Sequence, residues 1–183
     1  MTRLLFLILL GSLYCDAKTP DLNRLTDEQL WDSSDFIGIV TVASGKYFAN
    51  KGYELSGDVK AILKGNGKKY VHFKNMFPSM NTANILGSTY LVYLREDADN
   101  SYFVPSENFA IVELVERNIE DENAINDIGK EYGVQYAHSY EYEGKLWHVQ
   151  CWPQSARFCN ELAKSADVAF NKAKQQGPAA GTR

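Results

Sequence analysis

Apolar and polar positions alternate through residues 35–116 in five short runs separated by turn-forming segments, with no long helical period between them. Phe36 to Ala43 is apolar and β-branched, at Ile37, Ile39, Val40 and Val42. Tyr53 to Leu63 puts Tyr53, Leu55, Gly57, Val59, Ala61 and Leu63 on one side, the period of a half-buried strand. Gly57 in its middle predicts a bulge or a sharp bend of the kind that turns a barrel corner. Ser44 to Gly52 reads as a polar turn region interrupted by Tyr47 and Phe48. Gly65-Asn66-Gly67 is a turn signal, and Tyr70 to Lys74 is a third, shorter strand. Met76 to Leu86 reads as an irregular loop containing Pro78. Thr89 to Leu94 and Phe109 to Val115 are the fourth and fifth strands, with Asp97-Ala98-Asp99-Asn100 as the polar tip between them. Five such strands in succession predict a small closed barrel.

The flanks change period. Thr26 to Ser33 predicts one helix, with Thr26 as cap, Gln29 at the capping-box position, and Asp27 and Glu28 at the positive end of the dipole. Leu22, Leu25, Leu30 and Trp31 give it an apolar side suited to plugging one mouth of the barrel. After residue 116 the chain reads as a separate module. Glu120 to Tyr132 has helical spacing at Ile125, Ile128 and Tyr132, with Gly133 as a stop. Val134 to Trp152 predicts a hairpin around Glu143-Gly144. In a two-residue turn Tyr142 faces Lys145, Tyr140 faces Trp147, His138 faces Val149 and Tyr136 faces Cys151, giving one aromatic face and one mostly polar face. Gln154 to Gln175 predicts a last helix with Phe158, Leu162, Ala166, Ala169 and Phe170 on one side and Pro153 in its first turn. The expected class is α+β: a five-stranded barrel with an N-terminal helix over residues 18–116, then a helix–hairpin–helix appendage over 117–183.

The N-terminus sets the compartment. Arg3, the apolar run from Leu4 to Leu10, and the small residues Cys15 and Ala17 predict a signal peptide over residues 1–17, with Lys18 at the mature end. The run is far shorter than the roughly 20 residues a membrane span needs. A secreted or periplasmic protein is expected, with no transmembrane segment. Processing removes one Arg and one Asp, so the net charge stays at -4. Mild acidity without a Lys/Arg stripe argues against nucleic acid as a partner. Three cysteines become two, and Cys151 and Cys159 are expected to be joined in an oxidising compartment, the alternative being two buried thiols.

Ser34-Asp35-Phe36-Ile37-Gly38-Ile39-Val40, Val59-Lys60-Ala61-Ile62-Leu63-Lys64-Gly65 and Gly87-Ser88-Thr89-Tyr90-Leu91-Val92-Tyr93 together resemble the netrin-like barrel of tissue inhibitors of metalloproteinases and their bacterial relatives. The resemblance covers about half the chain and implies an OB-type barrel. In the eukaryotic inhibitors an N-terminal Cys chelates the protease zinc. Here Lys18 is the expected terminus and no Cys lies between Asp16 and Gln150. Inhibition of a protease would therefore have to come from the barrel's side loops, where Tyr47, Phe48, Met76, Phe77 and Met80 are the large apolar residues; the alternative is that these close the barrel ends.

Other chemistry is sparse. His72, His138 and His148 share no metal-ligand spacing on one surface, and neither a metal nor a cofactor is expected. Asp97, Asp99 and Asn100 lack the Gly and distal Glu of a calcium loop. Glu116, Glu120, Asp121 and Glu122 read as a solvated helix start. No nucleophile elbow or metal motif supports a hydrolase using His138 or His148. The expectation is a non-enzymatic binding protein with a protein partner such as a protease. A saccharide ligand at the barrel face and a structural role in a cell envelope are the alternatives; the aromatics between Tyr132 and Trp152 read first as a core between hairpin and terminal helix, and otherwise as a stacking platform for a sugar or a partner protein.

Overall fold

The computed structural model describes residues 25–48, 52–75, 86–106, 110–117, 135–151 and 156–177. The segment expected to be a signal peptide (1–17), the helix expected over 120–132, and Met76, Phe77 and Met80 lie outside the described residues.

Helix α1 (Asp27–Ser33) starts at the capping box read from the sequence. Thr26 Oγ1 accepts from the Gln29 amide at 3.2 Å, and Gln29 Oε1 accepts from the Thr26 amide at 2.9 Å. Leu30 and Trp31 enter the core. Lys64, arriving at the end of the second strand, donates to the carbonyls of Trp31 (2.6 Å) and Asp32 (3.4 Å), so a side chain from the sheet satisfies the helix's last orphan acceptors.

The strands are β1 (Phe36–Phe48), β2 (Gly52–Lys64), β3 (Tyr70–Asn75), β4 (Thr89–Glu96), β5 (Tyr102–Phe103), β6 (Ile111–Arg117), β7 (Gln135–Tyr142) and β8 (Lys145–Cys151). They run in the order β1-β2-β3-β5-β4, and β4 returns to pair with β1, which closes a five-stranded barrel. The β3–β5 pair is parallel and the others are antiparallel. On its second edge β4 carries two strands in turn: Thr89 to Val92 pair with β6, and Arg95 and Glu96 pair with β5. The strand that closes the ring is thus the two-residue β5, absent from the sequence reading, while the expected fifth strand, β6, runs on to pair with β8. The sheet therefore continues from the barrel into the C-terminal hairpin.

Residues 44–48, expected to be a turn, are strand. Val42 pairs with Gly57, and the register shifts between Val42 and Ser44. A Cβ on Gly57 would sit 2.3 Å from the Thr41 carbonyl oxygen and 2.7 Å from Val40 Cγ1, so only glycine lets the two strands cross this closely. Beyond the bend β1 continues as the edge of the sheet, here called the arm, paired with β2 from Ser44↔Ser56 to Phe48↔Gly52, while Tyr53 to Ser56 of β2 pair on their other side with β3. Polar composition hid this strand because both of its faces are exposed.

The hairpin register holds as predicted from Tyr142↔Lys145 to Tyr140↔Trp147. It then departs: after one more in-register pair, Ser139↔His148, one extra residue on β7 between Tyr136 and Ser139 sets Tyr136 against Gln150 and Gln135 against Cys151. The expected polar face is also different: Trp147, His148 and Val149 are consecutive and all buried, so both faces of β8 are covered along this stretch.

Helix α2 (Ala156–Gln176) packs Leu162, Ala163, Ala166, Ala169, Phe170 and Ala173 into the core that also holds the barrel residues. Three tyrosine hydroxyls tie helix, hairpin and barrel to one another. Tyr93 donates to the Ser165 carbonyl at 2.5 Å, Tyr140 to the Ala163 carbonyl at 3.1 Å, and Tyr142 to the Ile62 carbonyl at 2.9 Å. The Tyr140 ring stacks on Phe170 at 4.4 Å. Cys151 and Cys159 form a disulfide with Cα atoms 5.7 Å apart, joining the end of β8 to the first turn of α2. The result is an α+β fold, a closed five-stranded barrel with extra strands and a C-terminal helix. No described helix is long and apolar enough to cross a membrane.

Candidate functional site

Among the described residues the large exposed apolar side chains are Tyr47 on the arm, Leu86 and Tyr70. Tyr47 and Tyr53 are cross-strand partners near the arm's tip, their rings 5.1 Å apart and tilted. Tyr53 packs against the core, whereas Tyr47 is 60% exposed. At the arm's foot Val42 exchanges backbone hydrogen bonds with Gly87 (2.8 Å) and Ser88 (3.0 Å), which ends the β1–β4 pairing. The turn that makes these bonds presents Leu86, 62% exposed. An aromatic ring braced by a second ring, with an apolar side chain at the base, is suited to burying another protein's apolar residues. Tyrosine adds a hydroxyl at low entropic cost.

Of the five expected binding residues, Tyr47 stands on this arm. Phe48 pairs through its backbone with Gly52. Its side chain, with Met76, Phe77 and Met80, lies outside the described residues. The sequence pointed to Tyr47 because a large aromatic interrupts a polar stretch. It did not reveal Tyr53 as its brace, since that follows from register, nor Leu86.

A second exposed aromatic lies on the outer face of β2 and β3. Tyr70, 43% exposed, meets the His72 ring edge-on at 5.4 Å. His72 pairs in register with Ser56, whose hydroxyl bonds that of Ser44 at 2.8 Å.

The reactive residue types are engaged elsewhere. Cys151 and Cys159 are in the disulfide. Asp97 Oδ1 accepts the Ala98 amide and Asp99 Oδ1 the Ser101 amide, so the carboxylates of the polar tip build the turn itself. His148 Nδ1 lies 2.6 Å from Ser139 Oγ. His138 Nδ1 lies 3.5 Å from Asp167 Oδ1. Among the described residues no three His, Cys, Asp or Glu side chains converge to hold a metal. Tyr93 and Tyr140 have hydroxyls pushed well above the ordinary tyrosine range, chiefly because they are buried; for Tyr140 the neighbouring Asp167 adds to the effect.

Comparison with protein-family models, with curated proteins and with solved structures finds no match to this chain.

Proposed function

We propose that this chain is an exported, non-enzymatic binding protein that holds a protein partner against the β1–β2 arm, in the way a protease inhibitor presents its side loops. The observation that carries the reading is Tyr47, exposed near the end of β1 on the edge of the sheet and braced by Tyr53. Ring closure in the order β1-β2-β3-β5-β4 supports an OB-type barrel, in which the loop between the first two strands belongs to the ligand-binding side. The disulfide supports an oxidising compartment, in line with the signal peptide read from the sequence. A metalloprotease is the partner class to try first, on the resemblance to the netrin-like inhibitors.

The test is inhibition of a metalloprotease panel by three forms: residues 18–183, the same chain without Lys18 to Asn23, and Tyr47→Ser. Contact through the arm predicts equal inhibition by the first two and a loss of roughly tenfold or more in Tyr47→Ser, the effect of about 1.4 kcal/mol. Inhibition lost on truncation and unchanged in Tyr47→Ser sinks the reading. Absence of inhibition by every form turns attention to saccharides, for which Tyr70 beside His72 and the Ser44–Ser56 hydroxyls is the favouring observation. Glycan binding sensitive to Tyr70→Ser would establish that second reading.

A further inference from the structure

The turn between β2 and β3 holds an asparagine whose surroundings differ from those of the other described asparagines. Asn66 is exposed and Gly67 follows it, between Lys64 at the end of β2 and Tyr70 at the start of β3. The chain enters this turn through Gly65, at φ 99°, where a Cβ would stand 2.5 Å from the Asp35 carbonyl oxygen. On the way out the Lys68 amide donates to the Asn66 carbonyl at 2.9 Å, and the Lys69 carbonyl accepts from the Val59 amide at 3.0 Å. Between these ties no described group bonds the Gly67 amide or the Asn66 side chain. The Gly67 nitrogen is thus open to the side chain that precedes it, with no Cβ on residue 67 in the way.

Each of the other described asparagines lacks at least one of these features. Asn100 is exposed, but the amide that follows it, on Ser101, donates to Asp99 Oδ1 at 2.9 Å. The amides that follow Asn160 and Asn171 lie inside α2, where the helix bonds them. Asn75 is buried. Charge widens the contrast, because Lys68 and Lys69 come after Asn66 whereas Asp97 and Asp99 come before Asn100. A nitrogen that must lose its proton to react does so more readily beside cations than beside carboxylates.

We propose that Asn66–Gly67 is a site of self-modification, at which the turn slowly exchanges an amide side chain for a carboxylate. The Gly67 nitrogen gives up its proton and bonds to the side-chain carbonyl carbon of Asn66; the C–NH2 bond of that side chain breaks, and ammonia leaves with the proton. Water then opens the five-membered ring. Attack at the former side-chain carbonyl leaves an aspartate in an ordinary backbone, and attack at the main-chain carbonyl leaves a backbone routed through the side-chain carbon, longer by one atom. Nothing is oxidised or reduced. Either product makes the net charge of -4 one unit more negative. The new carboxylate stands beside Lys68, whose ammonium lies 4.4 Å from the Tyr102 ring centroid, and next to the strand that carries Tyr70 and His72.

The test keeps the folded protein at mildly alkaline pH and samples it over days. Ion-exchange chromatography is expected to show an acidic form that grows with time, and peptide mass mapping to place a change at residue 66 while residue 100 stays as it was. Gly67→Ala should slow the conversion at residue 66 several-fold, because the added methyl crowds the attacking nitrogen, and Asn66→Gln should suppress it, because the ring would be one atom larger. In guanidinium chloride the Ser101 amide loses its bond to Asp99, so conversion at Asn100 should quicken relative to the folded chain. Absence of conversion at residue 66, conversion of Asn100 in the folded protein as fast as that of Asn66, or a rate at residue 66 unmoved by Gly67→Ala overturns the proposal.

Discussion

Residue 57 decides whether β1 can cross β2. The hydrogen it carries in place of a side chain is what the Thr41 carbonyl and Val40 Cγ1 leave room for, and a carbonyl oxygen in a paired strand cannot swing aside as a flexible side chain would. Gly57→Ala is expected to cost about 1–3 kcal/mol, the usual penalty for overpacking, read as a lower urea midpoint. An alanine variant as stable as the parent would mean that the bend is not set by this contact. The tyrosines act through their hydroxyls at the same scale. Tyr93, Tyr140 and Tyr142 all have pKa values raised above the ordinary 10.0, with burial as the largest cause. Each proton is bound more tightly folded than unfolded, so the stability these groups confer is complete below about pH 10 and falls as the pH rises beyond it. For Tyr93 alone the steepest slope is about 1.4 kcal/mol per pH unit. Circular dichroism followed through alkaline titration should show unfolding that begins above pH 10, and Tyr93→Phe should make the fall shallower.

Among the elements, the disulfide closes a short loop from the end of β8 to the first turn of α2. Intact mass after alkylation without reduction should find no free thiol from residue 18 onward. Replacing both cysteines by serine should cost about 2–3 kcal/mol by loop-closure entropy. The pair could be anticipated because two cysteines remain once the leader is set aside. The hairpin turn was equally legible: Glu143, at φ 51°, and Gly144, at φ 73°, adopt the left-handed backbone that such a turn demands. What the sequence could not convey was register beyond the bulge at residues 137–138, since an inserted residue carries no signature in hydrophobic period. Two-residue β5 is too short to have a period at all. Residues 44–47 misled for another reason: with both faces in solvent, a strand has no apolar side to announce it. The candidate site was visible in the same partial way, with Tyr47 marked by its size and Tyr53 and Leu86 revealed only by pairing and exposure.

At the scale of the whole molecule, one core runs from Trp31 in α1 through the barrel to Phe170 in α2, and a single sheet runs from β1 to β7. Latches between α1, the barrel and α2 add to this unity: Lys64 caps α1 from β2, and Lys172 reaches α1 from α2. The outer half of β1 is the exception. Beyond the Val42–Ser44 shift it keeps β2 as its described partner, so a substitution such as Tyr47→Ser can alter binding while leaving the core intact.

The pairing of β6 with β8 bears on how the chain can be shortened. A barrel cut off after Arg117 would keep its closed ring yet lose the strand that occupies β6 from Leu114 to Arg117, baring a row of amides and carbonyls beside the apolar Val112 and Leu114. Unsatisfied edges of this kind recruit neighbouring chains. Light scattering of the shortened protein should therefore report self-association, where the full chain, with that edge already taken, remains dispersed. The C-terminal third would then be, besides an addition to the barrel, its guard against sticking to itself.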